Sequence, residues 1–450
     1  MGTRQHRDLI LQGDLGKAIA ALTIPIVINS FLQTMYNLTD TFWLGKLGTY
    51  ELAAINLITP LQSIVVNIGG GITVAGSVLI ARYVGAREDE NARSMANQIY
   101  ACAMLFALLS MALIRLFLPA IVTWLGADGE TWSYSCIYMS IVILDMPFLY
   151  TINIFTSVHQ AQGDTVTPMF LNFSGIVLNM ILDPLLMFVM NRGVAGAAEA
   201  TLLAKIFPAI IAFVLLHRKN RIVYLNLKKL RFQKEMLKSI VVIGLPTAIG
   251  GSTVQLGFLL MSRSVYAYGT DAMAAYGIGN KINSLITLPT NGIGSAVATI
   301  VGQNMGAGQV NRAEKGYLLS RKISVIFLLA GGLILSRPVI STAIVRIFSS
   351  DGEVIAMAAD FLSIMALWCF ANGVYNSTVG LFQGTGHTEV TTAVDITRLW
   401  IYRFVTLYVC EHWLHMGVRS VWYCVVLSNG LAAFTLYLLY KSGIWRKKRG

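Results

Sequence analysis

The chain alternates between long apolar stretches and short polar ones over its whole length. Apolar runs of roughly 20 residues, enough to cross a bilayer as a helix, recur at about 15–44, 51–80, 93–118, 133–158, 166–190, 195–217, 237–267, 272–301, 316–336, 354–384, 391–412 and 418–440. A β-barrel would show shorter segments of strict alternation instead. The pattern predicts an all-α integral membrane fold of 12 transmembrane helices. The longest polar stretch, 218–238, separates six spans from six. It predicts an N-terminal six-helix lobe over 1–217, a cytoplasmic linker loop over 218–236 and a C-terminal six-helix lobe over 237–450.

The second half restates the first at an offset of 221 residues. Pro25 falls on Pro246, Gly71 on Gly292, Gly85-Ala86 on Gly306-Ala307, and Gln162-Gly163 on Gln383-Gly384. One ungapped register is expected throughout. Each half has an even number of spans, so the repeats run parallel, related by a pseudo-twofold axis along the membrane normal. Matching halves in a membrane chain point to transport, with the site between or inside them. Pro25 lies inside the first span, where a missing backbone donor favours a kink. That kink is read either as a bending point between states or as a static feature. Glycines clustered at 69–71, 250–251, 277/279 and 292/294 read as close-packing positions.

Charge sharpens the topology. Only 12% of residues are charged, against about 25% in soluble proteins, while 55% are hydrophobic and the mean hydropathy is +0.64. The net charge of +12 is placed asymmetrically. With the N-terminus inside, the inner segments hold 23 Lys and Arg, among them Lys448 and Arg449 of the C-terminal run, and the outer segments hold 6. This places both termini and the linker in the cytoplasm of a multi-pass plasma membrane protein. The basic charge therefore points to anionic lipid headgroups and not to nucleic acid. The N-terminus lacks the features of a cleaved signal peptide, and His6 stands where a myristoylation signal needs Ser or Thr. The five cysteines are scattered through apolar segments without metal or disulfide spacing. No phosphate-binding loop and no haem, zinc or nucleophile signature occurs, so no cofactor, no ATP-driven step and no enzyme are expected.

The candidate chemistry lies in carboxylates buried in the bilayer. Asp40 maps onto Met261 and Asp183 onto Phe404, so the acidic pair belongs to the first half alone. Such groups are costly unless protonated or paired. By helix rise, Asp40 lies roughly 6 Å, Thr201 about 9 Å, Asp183 about 12 Å and Asn179 about 18 Å below the outer ends of their spans. Tyr138 belongs to the same outer half. Asn179 and Asp183 are spaced i, i+4, on one helix face. Met35 and Tyr36, one turn before Asp40, are substrate-contact candidates through an adaptable thioether and a π face; plain packing is the alternative. Asp183-Pro184 is alternatively only a helix-breaking step, and Asp40 a partner for a nearby hydroxyl or amide. Asp145, Glu199, Lys205, Arg263, Lys281, Asp360, Asp395, Arg398 and Arg403 are read as structural charges. Asp395 with Arg398 is the expected pair, and Lys205 is expected with Glu199 or Asp145.

Taken together, the Pro25-containing first span with Asp40 near its end, Gly85-Ala86, Gln162-Gly163-Asp164-Thr165-Val166-Thr167-Pro168, Asn179, Asp183-Pro184, and Gln383-Gly384 with Gly386 resemble the multidrug and toxic compound extrusion (MATE) family, and within it the DinF branch. The resemblance covers essentially the whole chain. It implies alternating-access export of cationic or amphipathic organic compounds, driven by inward H⁺ or Na⁺. It also implies that Asp40, Tyr138, Asn179, Asp183 and Thr201 form a hydrogen-bonded proton or cation network. Protonation of Asp40 would then compete with a cationic substrate. Na⁺-coupled relatives of the NorM type use acids in spans seven and ten; Val254 or Gln255 and Asn372 stand there, which favours H⁺, with Na⁺ at Asp40/Asp183 as the alternative. A second alternative is a lipid-linked oligosaccharide flippase of the same superfamily. A monomer is expected.

Overall fold

The computed structural model describes residues 3–219 and 221–447; Lys448 and Arg449 lie outside the described residues. The described residues form helices and no strand. A short helix, Thr3–Leu11, precedes span 1 (Leu15–Leu44), span 2 (Thr49–Gly85), span 3 (Asp89–Trp124), span 4 (Gly129–Ala161), span 5 (Val166–Val189) and span 6 (Gly193–Leu216). Span 7 (Lys234–Tyr266), span 8 (Thr270–Gly306) and span 9 (Val310–Leu335) follow. Span 10 is the pair Gly352–Trp368 and Phe370–Gly384, bent by 54°. Span 11 covers 388–413, and span 12 is Arg419–Lys441. Ten of these helices are long and apolar enough to cross a membrane, or eleven with the bent pair. The remaining stretch, 388–413, carries Glu389, Asp395, Arg398, Arg403 and Glu411, which lowers its hydropathy; the expected count of twelve is consistent with this.

The repeat is visible in helix ends, and it corrects the single register. Spans 2 and 8 have the same length, 37 residues, and spans 2, 3, 8 and 9 start at an offset of 221. The chain leaves span 2 through Arg87 at φ +60° and span 8 through Gly308 at φ +73°. The same capping bond follows, Glu88 N to Tyr83 O at 2.9 Å and Gln309 N to Asn304 O at 2.8 Å. Beyond span 3 the register slips by two. The short helix Pro338–Val345 still ends at offset 221 from Trp124, but span 10 begins 223 residues after span 4. The left-handed glycine after span 4 is Gly163, at φ +86°, and its counterpart is Gly386, at φ +78°. The matching bonds are Asp164 N to His159 O and His387 N to Phe382 O. Gln162-Gly163 therefore pairs in structure with Thr385-Gly386 and not with Gln383-Gly384. Asp183 then faces Val405 or Thr406 in the repeat, and the second half still lacks its acid.

By their contacts the residues form two compact units, Met1–Gln12 with Ile24–Ala248, and Gly13–Thr23 with Ile249–Gly450. One boundary, between Gln12 and Gly13, precedes span 1; the other two fall inside spans 1 and 7, beside Pro25 and two residues past Pro246, and none in the 218–236 segment. The packing units thus differ from the repeat halves. The reason is that the segment after span 6 is bound to the first unit. Ile222, Val223 and Leu225 are buried. Arg93 Nε donates to the Ile222 carbonyl at 2.9 Å, Asn226 N to Asn97 Oδ1 at 2.8 Å, and Val223 N to Gln162 Oε1 at 3.1 Å. Arg221 pairs with Asp164 at 2.6 Å, and the Thr167 hydroxyl donates to the same carboxylate at 2.6 Å. The Gln-Gly-Asp-Thr segment after span 4 is therefore a structural clasp for the linker.

Small residues let helices meet closely within the second unit. A Cβ on Gly380 of span 10 would lie 2.3 Å from the Gly294 carbonyl oxygen of span 8, so only glycine fits this crossing without a shift. Gly380→Ala should destabilise the fold by about 1–3 kcal/mol, read as a lower melting temperature in detergent; an unchanged melting temperature would contradict the packing. The clasp predicts a pH response. Burial pushes the Asp164 carboxyl up, but the Thr167 hydroxyl and the Arg221 guanidinium outweigh it and hold it below the ordinary carboxylate range. A depressed carboxylate adds stability that is complete above its unfolded value of about 3.9 and is lost as pH falls through the folded one. Asp164→Asn should loosen the linker at neutral pH, seen as faster proteolysis within 218–233, and should abolish the additional loosening of the native protein in acid.

Candidate functional site

The first unit contains a cavity of about 300 Å³, reached from the faces of spans 1, 4, 5 and 6. Its polar lining includes Gln33, Tyr36, Asn153, Asn179, Thr201 and Lys205. Span 4 reaches this cavity through a tightened turn, Ile143–Asp145, before Met146–Ala161 resumes the helix. Span 5 passes it as the helix Val166–Pro184 and then widens into a π-helix, Leu185–Val189. Asp183-Pro184 does not end the helix. Instead the ring without a donor at 184 is accommodated by the wider turns that follow, a local irregularity of the kind found at functional sites.

Four of the five network residues expected from the sequence are buried: Asp183 (0% exposed), Asn179 (2%), Tyr138 and Thr201. Asn179 Nδ2 donates to Asp183 Oδ1 at 3.2 Å. The other oxygen of Asp183 and the amide oxygen of Asn179 are buried without a hydrogen-bond partner. The Tyr36 side chain meets Thr201, and Asp40, Asp183 and Asp145 all act electrostatically on Tyr36. Asp40, Tyr36, Asp145 and Asp183 all act electrostatically on Tyr138. Asp40 and Asp183 are near enough for their charges to interact, and Lys205 acts on Asp40. The structure thus brings Asp40, Tyr138, Asn179, Asp183 and Thr201 to one place, with Tyr36 among them. Met35 is 42% exposed and does not line the cavity.

The other charges are mostly spent on partners. Lys205 bonds the buried Asp145 carboxylate, which decides between its two expected partners, because Glu199 pairs with Arg192 at 2.7 Å. Arg398 pairs with Asp395 at 3.0 Å, and Arg419 grips Asp360 through two bonds of 2.8 and 3.0 Å. Two acids of the cluster, Asp40 and Asp183, remain after Lys205 has answered Asp145. Two buried acceptors without a donor, Asp183 Oδ2 and Asn179 Oδ1, are an incomplete hydrogen-bond set to which a proton or a small cation would add a partner.

Sequence reasoning missed the amide lining of this cavity, Asn29, Gln33, Asn153 and Asn172. The signal was available, since polar residues inside apolar spans rarely face lipid. It also missed a second cavity of about 280 Å³ in the second unit, lined by Asn280, Asn283, Asn291, Asn372, Asn376 and Asn429 together with Arg398 and Arg403.

The family model described as MatE matches residues 25–185 and again 246–409. The two matches are offset by 221 at their starts and 224 at their ends, consistent with the slip seen in the helix ends. Among curated relatives, the chain is 23% identical over 431 residues to the multidrug export protein MepA of Staphylococcus haemolyticus, covering 95% of this chain and 94% of that one. It is 25% identical over 446 residues to the probable multidrug resistance protein NorM of Thermotoga maritima, covering 97% and 94%. A crystal structure of MATE in the bent conformation superposes with a TM-score of 0.91 at 25% identity, over 98% of this chain and 97% of that one. With the repeated family match across both halves and a fold shared over nearly the full length, the chain belongs to the MatE family, the multidrug and toxic compound extrusion transporters, as a multi-pass membrane protein.

Proposed function

We propose that this protein is a proton-coupled antiporter that exports cationic or amphipathic organic compounds by alternating access. In this reading, protonation of the Asp40–Asp183 cluster competes with substrate. The relatives named for multidrug export and multidrug resistance support the substrate class. The observation that carries the coupling site is the pair of buried orphan acceptors, Asp183 Oδ2 and Asn179 Oδ1, beside a second carboxylate. A proton taken up there adds a donor where Asp183 Oδ2 and Asn179 Oδ1 are both acceptors. A proton on Asp183 supplies the missing donor to Asn179 Oδ1 or to Asp40. Each proton taken up removes one negative charge from the cluster and with it part of the attraction that holds an organic cation near Tyr36. Proton entry from outside then releases the substrate, and proton exit inside restores the site. The protein is read as a monomer in the plasma membrane with both termini cytoplasmic, its basic inner segments resting on anionic lipid headgroups.

Competition between proton and substrate is reciprocal: each weakens the other by the same factor. The affinity of the purified protein for ethidium should therefore rise with pH, by a factor within the roughly 5- to 150-fold range of such couplings. Asp40→Asn and Asp183→Asn should flatten that dependence while leaving the melting temperature near that of the native protein. In energised cells both variants should lose most ethidium efflux, and a protonophore should abolish the efflux of the native protein. Protonophore-insensitive efflux that follows an imposed Na⁺ gradient would transfer the coupling to Na⁺ at the same cluster. Full efflux by Asp40→Asn would refute the assignment of Asp40.

A further inference from the structure

The cavity of the second unit is lined by two guanidiniums, where the first has one lysine that is paired with Asp145. It measures about 280 Å³ and lies among spans 7, 8, 10, 11 and 12. The ionisable groups in its lining include Arg398 and Arg403, and no carboxylate. Arg398 is answered by Asp395 at 3.0 Å, which also accepts a bond from the Tyr375 hydroxyl. Arg403 is not answered by an acid. It is 3% exposed, its Nε and Nη2 donate to the neutral oxygens Ser428 Oγ and Asn429 Oδ1, both at 3.2 Å, and the charged or titratable groups that act on it are Tyr276, Arg398 and Cys424. Its Nη1, and the Nε of Arg398, are buried without any hydrogen-bond partner. A guanidinium is permanently charged, so protonation cannot relieve this site as it can a carboxylate. An uncompensated buried cation calls for an anion.

The place in the fold is instructive. At the slipped offset of 223, Arg398 stands where Gly175 lines the first unit's cavity. The repeat thus places a guanidinium in the second cavity where the first has a glycine. Two guanidiniums, several asparagine amides and the aromatic faces of Phe258 and Tyr276 offer planar bidentate donors next to ring-sized apolar contacts. The volume is at the small end of ligand cavities, roughly 300–1,000 Å³.

We infer that the second unit's cavity is an anion site for the carboxylate of a small aromatic or amide-bearing organic compound, held by Arg403 with the help of Arg398. The site concerns the second unit by itself and does not rest on the proton-coupling reading. It widens the ligands of this transporter to carboxylate-bearing molecules, including zwitterions.

The test uses the purified full-length protein in a neutral detergent and a chloride-free methanesulfonate buffer. Benzoate and its neutral isostere benzamide are titrated by calorimetry, and chloride is titrated separately. Benzoate is expected to bind at least about tenfold more tightly than benzamide and more tightly than chloride. Arg403→Gln should weaken benzoate by about tenfold or more. Asn372→Asp, which places a negative charge in the same lining at a half-buried position, should do the same and keeps the test sound if Arg403→Gln does not fold. The Asp40→Asn protein should bind benzoate as the native one does, which separates this outcome from the coupling site. Equal affinity for benzoate and benzamide, an unweakened Asn372→Asp protein, or chloride binding as tightly as benzoate would each overturn the inference.

Discussion

An ionised side chain inside a bilayer costs several kcal/mol unless something answers it, and this constraint organises the molecule. Most intramembrane charges are answered locally. Asp145 meets Lys205, Asp395 meets Arg398, and Asp360 is gripped by Arg419. Such pairs add little net stability, but they fix which helix faces meet. What remains after the pairing is the material of the proposed sites. The first unit keeps two carboxylates and two orphan acceptors around Asp183 and Asn179. Near one end of the same unit, outside the bilayer, a further carboxylate, Asp164, is spent on clasping the linker. The acids of one unit thus have different fates, Asp145 and Asp164 held by a cation and Asp40 and Asp183 without an ion pair among the described residues.

The backbone follows the same division of labour. The helices that carry the site depart from regular geometry: span 4 tightens at Ile143–Asp145, and span 5 widens at Leu185–Val189. Wide turns appear again in span 11, at Thr397–Tyr402 and Val409–Trp413. Of these irregular turns, Thr397–Tyr402 carries Arg398 and Leu399 into the lining of the second unit's cavity. Spans 2 and 8, by contrast, are continuous helices of 37 residues packed centrally within their units. Pro25 and Pro246 lie in spans 1 and 7 near the points where each of those helices passes from one packing unit to the other, which gives the prolines a location that composition alone does not supply.

Much of this was legible from the chain. Apolar run length gave the spans to within a few residues, because in a bilayer every backbone group must be satisfied inside its own helix. The convergence of Asp40, Tyr138, Asn179, Asp183 and Thr201 was also anticipated, from depth, helix spacing and family resemblance together. The slip in the repeat was hidden because Gln-Gly occurs at both 162–163 and 383–384, a match in letters at a place where the turn glycine is Gly386. The role of 218–233 was hidden because its binding to Asn97, Gln98 and Gln162 runs through backbone donors, which leave no pattern in side-chain type. The unanswered Arg403 was hidden because a charge and its partner are joined by folding and not by spacing.

We propose that the acidic cluster of the first unit exchanges a proton for an organic cation. The most direct measurement of this exchange is the decay of an imposed pH gradient across proteoliposomes after ethidium is added to the side from which it is transported. The native protein should dissipate the gradient in step with ethidium movement, and Asp183→Asn should do neither. Ethidium movement that leaves the pH gradient intact, or gradient decay that persists unchanged in Asp183→Asn, would contradict the account.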